Sequence, residues 1–200
     1  LIKTLKPRLF AELYSSNFPT LYHFKPSYIG TSGEAGIKIQ EGTIALPKVD
    51  FYFLDNPELV ITNGYQADFY GQYNVANKVL DFFKELGVKK IIVLAAHSRG
   101  GGIRFATTNL KIAKELKKFG IKNYVGPFLG FSALILGFSS IVGIESLCLF
   151  GETRVHMEPE YPDLLAARNL LTKLSEILNF PIDVSELKVE EKKLTEPGYV

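Results

Sequence analysis

The sequence predicts a three-layer α/β fold in which helices cover both faces of a mostly parallel sheet. Strand-like and helix-like segments alternate over residues 59–178, an order typical of doubly wound sheets with right-handed crossovers. Residues 90–96, KIIVLAA, form an unbroken apolar run, which indicates a strand covered on both faces. Residues 126–167 contain a small-residue turn, a nearly uncharged helix, a buried strand and an amphipathic helix in succession. This block supports the same layered arrangement.

Six segments are predicted as helices, most of them from apolar residues at the spacing of a helix face. They are residues 1–15 (with Pro7 as a break or a first-turn residue), 68–86, 108–119, 131–142, 161–178 and 183–191. Gly87 and Gly120 end the second and third helices, because glycine readily adopts the left-handed conformation found after a helix C-terminus. Asp163 and Asp183 are predicted N-terminal caps of the last two helices.

Strands are predicted where short apolar or alternating runs are bounded by turn residues. They are residues 37–45 (one strand or a small hairpin), 49–54, 59–62, 90–96, 122–126 and 145–150. Asp55-Asn56-Pro57 places the second and third strands side by side around a tight turn. The segments 25–36 and 97–102 are predicted loops. Together the elements predict one domain over residues 1–187 and a C-terminal tail over 188–200.

The composition is that of an ordinary globular domain. Charged residues make up 22% and hydrophobic residues 46% of the chain, and a net charge of +2 gives no argument for a nucleic-acid or membrane partner. The apolar run 128–144 contains three glycines and three serines, which favours a buried helix over a membrane span of about 20 residues. The single cysteine, Cys148, excludes an internal disulfide and fits a reducing, cytoplasmic setting.

A glycine-rich loop follows the predicted strand 90–96, at the edge of the sheet where α/β proteins bind ligands. Its residues are His97, Ser98, Arg99, Gly100, Gly101 and Gly102. The backbone amides of such a loop are able to hold an anion, with Arg99 or Arg104 paired to it. The loop matches neither the P-loop nor the dinucleotide-binding pattern. The other interpretation is a flexible loop whose glycines allow close backbone contacts.

No complete catalytic or metal-binding set is found in the sequence. Ser132 lies at a strand-to-helix turn, but it is better interpreted as a helix cap than as a nucleophile, since the second glycine of a nucleophile elbow is replaced by Leu134. An acidic group with one histidine lacks metal-ligand spacing. Its members are Glu145, Glu152, His156, Glu158, Glu160 and Asp163. No catalytic residue, metal or cofactor is therefore predicted.

Five segments resemble the proteasome assembly chaperone family, in particular its archaeal and bacterial homologues. They are IIVLAAHSRGGG (91–102), GPFLGFSALIL (126–136), LFGET (149–153), YPDLLAARNLLTKL (161–174) and NFPIDVSEL (179–187). The resemblance implies a phosphorylase-like fold and a non-enzymatic chaperone or adaptor that binds proteasome α subunits and self-associates. It also implies docking through the C-terminal end. Tyr199 and Val200 match the family's terminal pattern, and Gly198 stands where that pattern has a hydrophobic residue.

The resemblance also implies that the family's first strand is missing here. Family members open with a strand and a glycine-rich turn, whereas this chain resembles them only from within the following helix, so that strand either lies outside the given sequence or is absent. We therefore expect an incomplete sheet edge, or a contact with another subunit that completes it. The alternative function is an enzyme of the same fold acting on a small anionic substrate. In it Arg99 and Arg104 would hold the anion, and His97 or Glu152 would transfer a proton.

Overall fold

A computed structural model describes residues 1–18, 37–64, 67–68, 70–98, 100–153 and 162–187. The strands are β1 (Arg8–Leu13), β2 (Lys38–Gln40), β3 (Thr43–Ala45), β4 (Val49–Leu54), β5 (Leu59–Gly64), β6 (Lys90–His97), β7 (Arg104–Thr107), β8 (Lys122–Asn123) and β9 (Glu145–Glu152). The helices are α1 (Ile2–Leu5), α2 (Gln72–Glu85), α3 (Leu110–Lys118), α4 (Phe131–Ile141) and α5 (Leu164–Leu178). The predicted loop 25–36 lies outside the described residues.

The first sheet has the order β1-β4-β5, and both of its strand pairs are antiparallel. Strands β4 and β5 pair without interruption from Val49 opposite Gly64 to Leu54 opposite Leu59. The predicted pair of adjacent strands is thereby confirmed. A separate hairpin joins β2 to β3, with Ile39 opposite Ile44, so the hairpin interpretation of residues 37–45 is the correct one.

The predicted helix over residues 1–15 is wrong beyond its first turn. Helix α1 ends because Lys6 adopts the left-handed conformation with φ of 48° and is followed by Pro7, which disfavours helical geometry in the residue before it. The chain then continues as β1, whose apolar side chains pack into the core: Phe10, Ala11 and Leu13. Strand pairing with β4 therefore outweighs the helical spacing of these residues.

The second sheet has the order β6-β9-β7-β8. Strand β6 runs parallel to β9 over eight residue pairs, and β7 runs parallel to β8 but antiparallel to β9. Among the described strand pairs two are parallel and four antiparallel, so the expected predominance of parallel pairing is not found. Strand β7, which the sequence did not predict, follows β6 after a short loop. A loop of that length cannot carry a crossover helix, so the chain reverses direction.

Helices cover both faces of the second sheet, as predicted. Helices α2 and α4 contribute buried residues to one core, where they meet Ile91 and Val93 of β6. Helices α3 and α5 contribute to the other core, against Leu147 and Leu149 of β9. The first core also contains Phe51 of β4. Helix α2 therefore shares this core with strands of both sheets.

The helix termini agree in part with the predicted caps. Asp163 caps α5, since its Oδ1 accepts a hydrogen bond from the Ala166 amide at 2.9 Å. Asp183 accepts from the Ser185 amide at 2.8 Å, but it does so in a turn, and the described residues 183–187 form no helix. None of the helices in the described ranges has the length and apolar character needed to cross a membrane.

Candidate functional site

The candidate site lies where two parallel strands of the second sheet end side by side. His97, the last residue of β6, is the register partner of Glu152, the last residue of β9. The Thr153 amide donates to the His97 carbonyl oxygen at 2.8 Å and extends this pairing by one step. Because parallel strands bring their carboxyl ends to the same edge, the apolar sequences of β6 and β9 place an imidazole beside a carboxylate.

The glycine loop crosses the end of β9, because β9 lies between the two strands that the loop connects. Gly100, Gly101 and Gly102 have φ values of 68°, 88° and 77°. Three successive residues in this region are strained for any side chain with a Cβ atom, which explains the run of glycines. A Cβ atom on Gly101 would also lie 2.9 Å from Nη2 of Arg104. The loop is thus a tight bridge over the ends of the strands.

Two side chains at the ends of β6 and β9 bind the glycine loop. The Gly102 amide donates to Oε2 of Glu152 at 2.6 Å, and His97 Nε2 lies 2.8 Å from the Gly102 carbonyl oxygen. A carbonyl only accepts, so Nε2 is the donor in this contact. His97 is buried. The two strand-end side chains therefore hold both backbone polar groups of one glycine.

The Arg104 guanidinium donates hydrogen bonds to two backbone carbonyl oxygens. Its Nη2 donates to the Gly100 carbonyl oxygen at 3.0 Å, and its Nη1 to that of Asn123 at 3.4 Å. Arg104 is the first residue of β7, and Asn123 belongs to the adjacent β8. The guanidinium group thus ties the loop to the outer strand. Arg99, the other predicted anion partner, lies outside the described residues, and Ser98 is exposed.

A cleft of about 210 Å³ opens between the loop and the N-terminus of α5. It is lined by Gly102, Ile103, Glu152, Asp163, Leu165, Ala166 and Asn169. Its charged lining groups are two carboxylates, and the cleft has no lysine or arginine among these residues. A small anion here would be repelled by Glu152 and would compete with it for the Gly102 amide. The anion-binding role of the loop therefore stays a prediction, and the described geometry disfavours it.

Other predicted residues have different positions. Ser132 is the second residue of α4, whose N-terminal cap is Gly130 with φ of 87° and no side-chain cap bond, so the predicted capping role of Ser132 is wrong. His156, Glu158, Glu160, Tyr199 and Val200 lie outside the described residues. No group of three or more potential metal ligands occurs within the described ranges. Sequence reasoning missed Asn123 and Asn169, since neither lies in a recognisable motif.

An aromatic stack supports the sheet edge from one side. The ring of Tyr124 stacks on Phe150 of β9 with 4.1 Å between centroids, and Phe128 meets Phe150 edge-on at 4.8 Å. The Tyr124 hydroxyl donates to the Pro127 carbonyl oxygen at 2.9 Å. These contacts fix the small-residue turn that leads into α4. A family model described as the PAC2 family matches residues 1–196 of this chain.

The chain belongs to the PAC2 family. It is 27% identical to an uncharacterized protein of Methanocaldococcus jannaschii, over 96% of this chain and 71% of that protein. Among solved structures it is similar to PbaB of Pyrococcus furiosus, described as an archaeal proteasome activator. That match has 27% identity and a TM-score of 0.72 and covers 93% of this chain and 78% of PbaB. PbaA of the same organism, described as an archaeal homolog of proteasome-assembly chaperone, shares the fold at 23% identity and a TM-score of 0.71, covering 92% of this chain and 75% of PbaA.

Proposed function

We propose that this PAC2-family chain is a non-enzymatic chaperone or adaptor that binds proteasome α subunits during assembly in the cytoplasm. The observation that carries the proposal is the match to PbaB, which extends over 93% of this chain at 27% identity. Its mechanism is reversible docking, with no covalent step. The glycine loop then has a structural role, because its backbone groups bind Glu152, His97 and Arg104.

We assign the docking element to the C-terminal tail. Tyr199 and Val200 match the terminal pattern that the resemblance implies, and in this proposal the Tyr199 ring inserts into a pocket of the partner. The test is binding of the full chain to purified archaeal proteasome α subunits by biolayer interferometry. It is compared with a chain lacking residues 198–200, with Tyr199→Ala, and with Thr195→Ala as a matched tail control.

The outcomes separate the parts of this proposal. Binding that is lost in the truncated chain and in Tyr199→Ala, but retained in Thr195→Ala, supports tail docking. Binding retained by the truncated chain overturns the tail assignment and places the interface on the folded domain. Absence of binding by the full chain overturns the proteasome-adaptor function itself.

Self-association is the second part of the proposed function, and α4 offers the surface. Residues 123–144 carry no charged side chain, and three apolar residues of this segment project into solvent: Val125, Leu129 and Ile141, exposed by 73%, 83% and 78%. Val125 and Leu129 precede α4 and Ile141 is its last residue; we call these three residues the α4 patch. Exposed apolar side chains favour an interaction surface. A second copy fits the patch, because two identical uncharged surfaces meet without repulsion between like charges.

The α4 patch is tested by the oligomeric state. Leu129→Asp introduces a charge that would face its own copy across a two-fold interface, so we expect the assembly to dissociate in sedimentation-velocity experiments. Leu110→Asp is the matched control, since Leu110 is equally exposed (83%) but lies at the start of α3, outside the patch. Equal sedimentation of both variants and the parent chain would show that copies do not associate through this surface.

A further inference from the structure

The two helical layers of the second sheet differ in charge. Helix α3 carries four lysines and one glutamate, and α5, which shares its core, carries one arginine, one lysine and one glutamate. Helix α2 has two lysines and two carboxylates, and α4 has no charged residue. The layer of α3 and α5 thus has a net charge of +4 and that of α2 and α4 has none, although the whole chain has a net charge of only +2. Among the helices of the described chain, positive charge is therefore concentrated on α3.

The lysines of α3 lie on the side of the helix that faces solvent. Ile112 and Leu116 are buried in the core beneath the helix. Glu115, which is exposed, is the single carboxylate of α3. Within the described residues, no ion pair joins a lysine of α3 to a carboxylate. All four lysines are exposed, and we call them the α3 basic face: Lys111, Lys114, Lys117 and Lys118.

Helix stability does not explain the α3 basic face. Lys111 lies in the first turn of α3, where the positive end of the helix dipole disfavours a cation. Lys114 is three residues from Lys111 and four from Lys118, and like charges at these spacings destabilise a helix. The dipole favours only the two lysines of the last turn. Helix α5 differs, since its lysine forms an ion pair with a glutamate one turn later. A partner with carboxylates would remove the repulsion that the α3 lysines leave uncompensated.

An exposed apolar side chain adjoins the α3 basic face. Leu110, the first residue of α3, is exposed by 83%. It precedes Lys114 by four residues and Lys117 by seven, which is the spacing of one face of a helix. A phosphate backbone offers no apolar group to cover a leucine. Helix α3 also contains no arginine, the residue whose planar fork suits phosphate. The face therefore fits a polypeptide with carboxylates and an apolar side chain better than it fits a nucleic acid.

We propose that the α3 basic face, together with Leu110, binds an acidic polypeptide segment of a partner protein that also carries an apolar residue. The carboxylates of the segment pair with the lysines and accelerate association, and its apolar side chain covers Leu110. Because each exposed charge pair contributes little, several pairs must form at once, and salt should weaken the binding. The inference goes beyond proteasome binding through the C-terminal tail and does not depend on it.

The test of the charges is fluorescence anisotropy of the labelled peptide Glu-Glu-Leu-Glu-Glu-Leu-Glu-Glu with the full chain at low ionic strength. The double variant Lys111→Glu and Lys114→Glu should bind about tenfold more weakly, since two attractive charge pairs become repulsive. Its melting temperature should not fall, because a carboxylate in the first turn suits the helix dipole. The matched control, Lys78→Glu and Lys84→Glu, makes the same change of charge on α2 and should retain its affinity within about twofold.

The role of Leu110 is tested with a second peptide in which serine replaces both leucines. The parent chain should bind the leucine peptide about fivefold more tightly than the serine peptide, because only the leucine peptide covers apolar surface. This difference should disappear in Leu110→Ser, as a double-mutant cycle requires for two groups in contact. A labelled DNA duplex serves as the third probe.

Four results would overturn the proposal. The first is the absence of saturable binding of the leucine peptide to the parent chain. The second is an equal loss of affinity in the α2 control, which would indicate attraction to the net charge of the chain rather than to α3. The third is tighter binding of the DNA duplex than of the leucine peptide, which would show that the face recognises phosphates. The fourth is equal affinity for the two peptides, which would remove Leu110 from the site. Proteasome binding is measured separately, so its failure would leave these experiments unaffected.

Discussion

The Gly102 amide and the Glu152 carboxylate lie 2.6 Å apart, joined by a hydrogen bond that closes the glycine loop over the end of β9. The relationship follows from topology, because the loop connects β6 to β7 and β9 lies between them. The Glu152 carboxylate therefore already accepts the hydrogen bond of the Gly102 amide, which an anionic ligand in the loop would need. This contact is the main structural reason for favouring a binding protein over an enzyme acting on an anion.

Replacement of Glu152 tests the structural role of the loop. Glu152→Ala leaves the Gly102 amide to water, because this hydrogen bond is solvent-exposed, and we expect a loss of about 0.5–1.5 kcal/mol in the free energy of unfolding. Urea denaturation measures it. Glu58→Ala is the control, since Glu58 is exposed in the turn between β4 and β5. An unchanged urea midpoint for Glu152→Ala would contradict the assigned role.

Inorganic phosphate is expected not to bind the loop. The Arg104 guanidinium is engaged by the carbonyls of Gly100 and Asn123, and its buried Nε atom is out of reach of solvent. Isothermal titration calorimetry of the full chain with phosphate checks this expectation. Saturable heat that disappears in Arg104→Met would favour the enzyme alternative instead.

Lys48 is expected to stabilise the first sheet in a pH-dependent way. Glu12 and Asp50 are register partners on β1 and β4, and like charges placed opposite each other are destabilising. The Lys48 ammonium binds Glu12 and lies 3.0 Å from Asp50 Oδ1. Its hydrogen bond, together with that from the Tyr14 hydroxyl, lowers the pKa of Glu12. We expect Lys48→Met to lower the melting temperature at neutral pH.

The sign of the pH effect follows from that pKa. A carboxylate whose pKa is lower in the folded state contributes stability above its unfolded pKa and loses it as pH falls through the folded value. The parent chain should therefore lose stability on acidification, and Lys48→Met should lose less. The melting temperatures of the two proteins, plotted against pH, should converge at low pH. Lys84→Met on α2 is the control. A difference in melting temperature between the parent chain and Lys48→Met that stays constant with pH would refute the pairing of Lys48 with Glu12.

Near the carboxyl ends of β6 and β9, Phe150 is expected to be the position where substitution reduces the free energy of unfolding most. Its side chain is completely buried and contacts the rings of Tyr124 and Phe128. Phe150→Ala should reduce the free energy of unfolding by about 3–5 kcal/mol, since it removes a large buried ring and leaves a cavity. Denaturant unfolding gives the value. Phe119→Ala, at a residue that is 41% exposed, should cost far less, and a comparable loss at both positions would contradict the packing described here.

Cys148 should be inert in the folded protein. Burial raises the pKa of its thiol to about 12, because the charged thiolate is disfavoured away from water. Since only the thiolate reacts at an appreciable rate, we expect no labelling by a disulfide reagent at neutral pH and full labelling after denaturation. Rapid labelling of the folded chain would show that β9 opens more readily than its central position indicates.

The sequence alone determined the features that depend on neighbouring residues. Helix α2 and strand β9 follow from local apolar patterns, and the cap at Asp163 follows from its position before an apolar face. Local periodicity is sufficient here because the partners are a few residues apart. Family membership was also accessible, since it depends on short segments whose order is visible in the sequence.

Tertiary structure decided the pairings between distant residues. Residues 8–13 form strand β1 rather than the predicted helix, because they pair with Asp50 and its neighbours on β4. The tertiary structure also made β7 antiparallel to β9 and thereby brought Gly102 to Glu152, 50 residues later in the chain. The energy of such contacts comes from hydrogen bonds and buried area shared between segments far apart in sequence. No local sequence pattern predicts these contacts, so the arrangement of the site residues follows only from the tertiary structure.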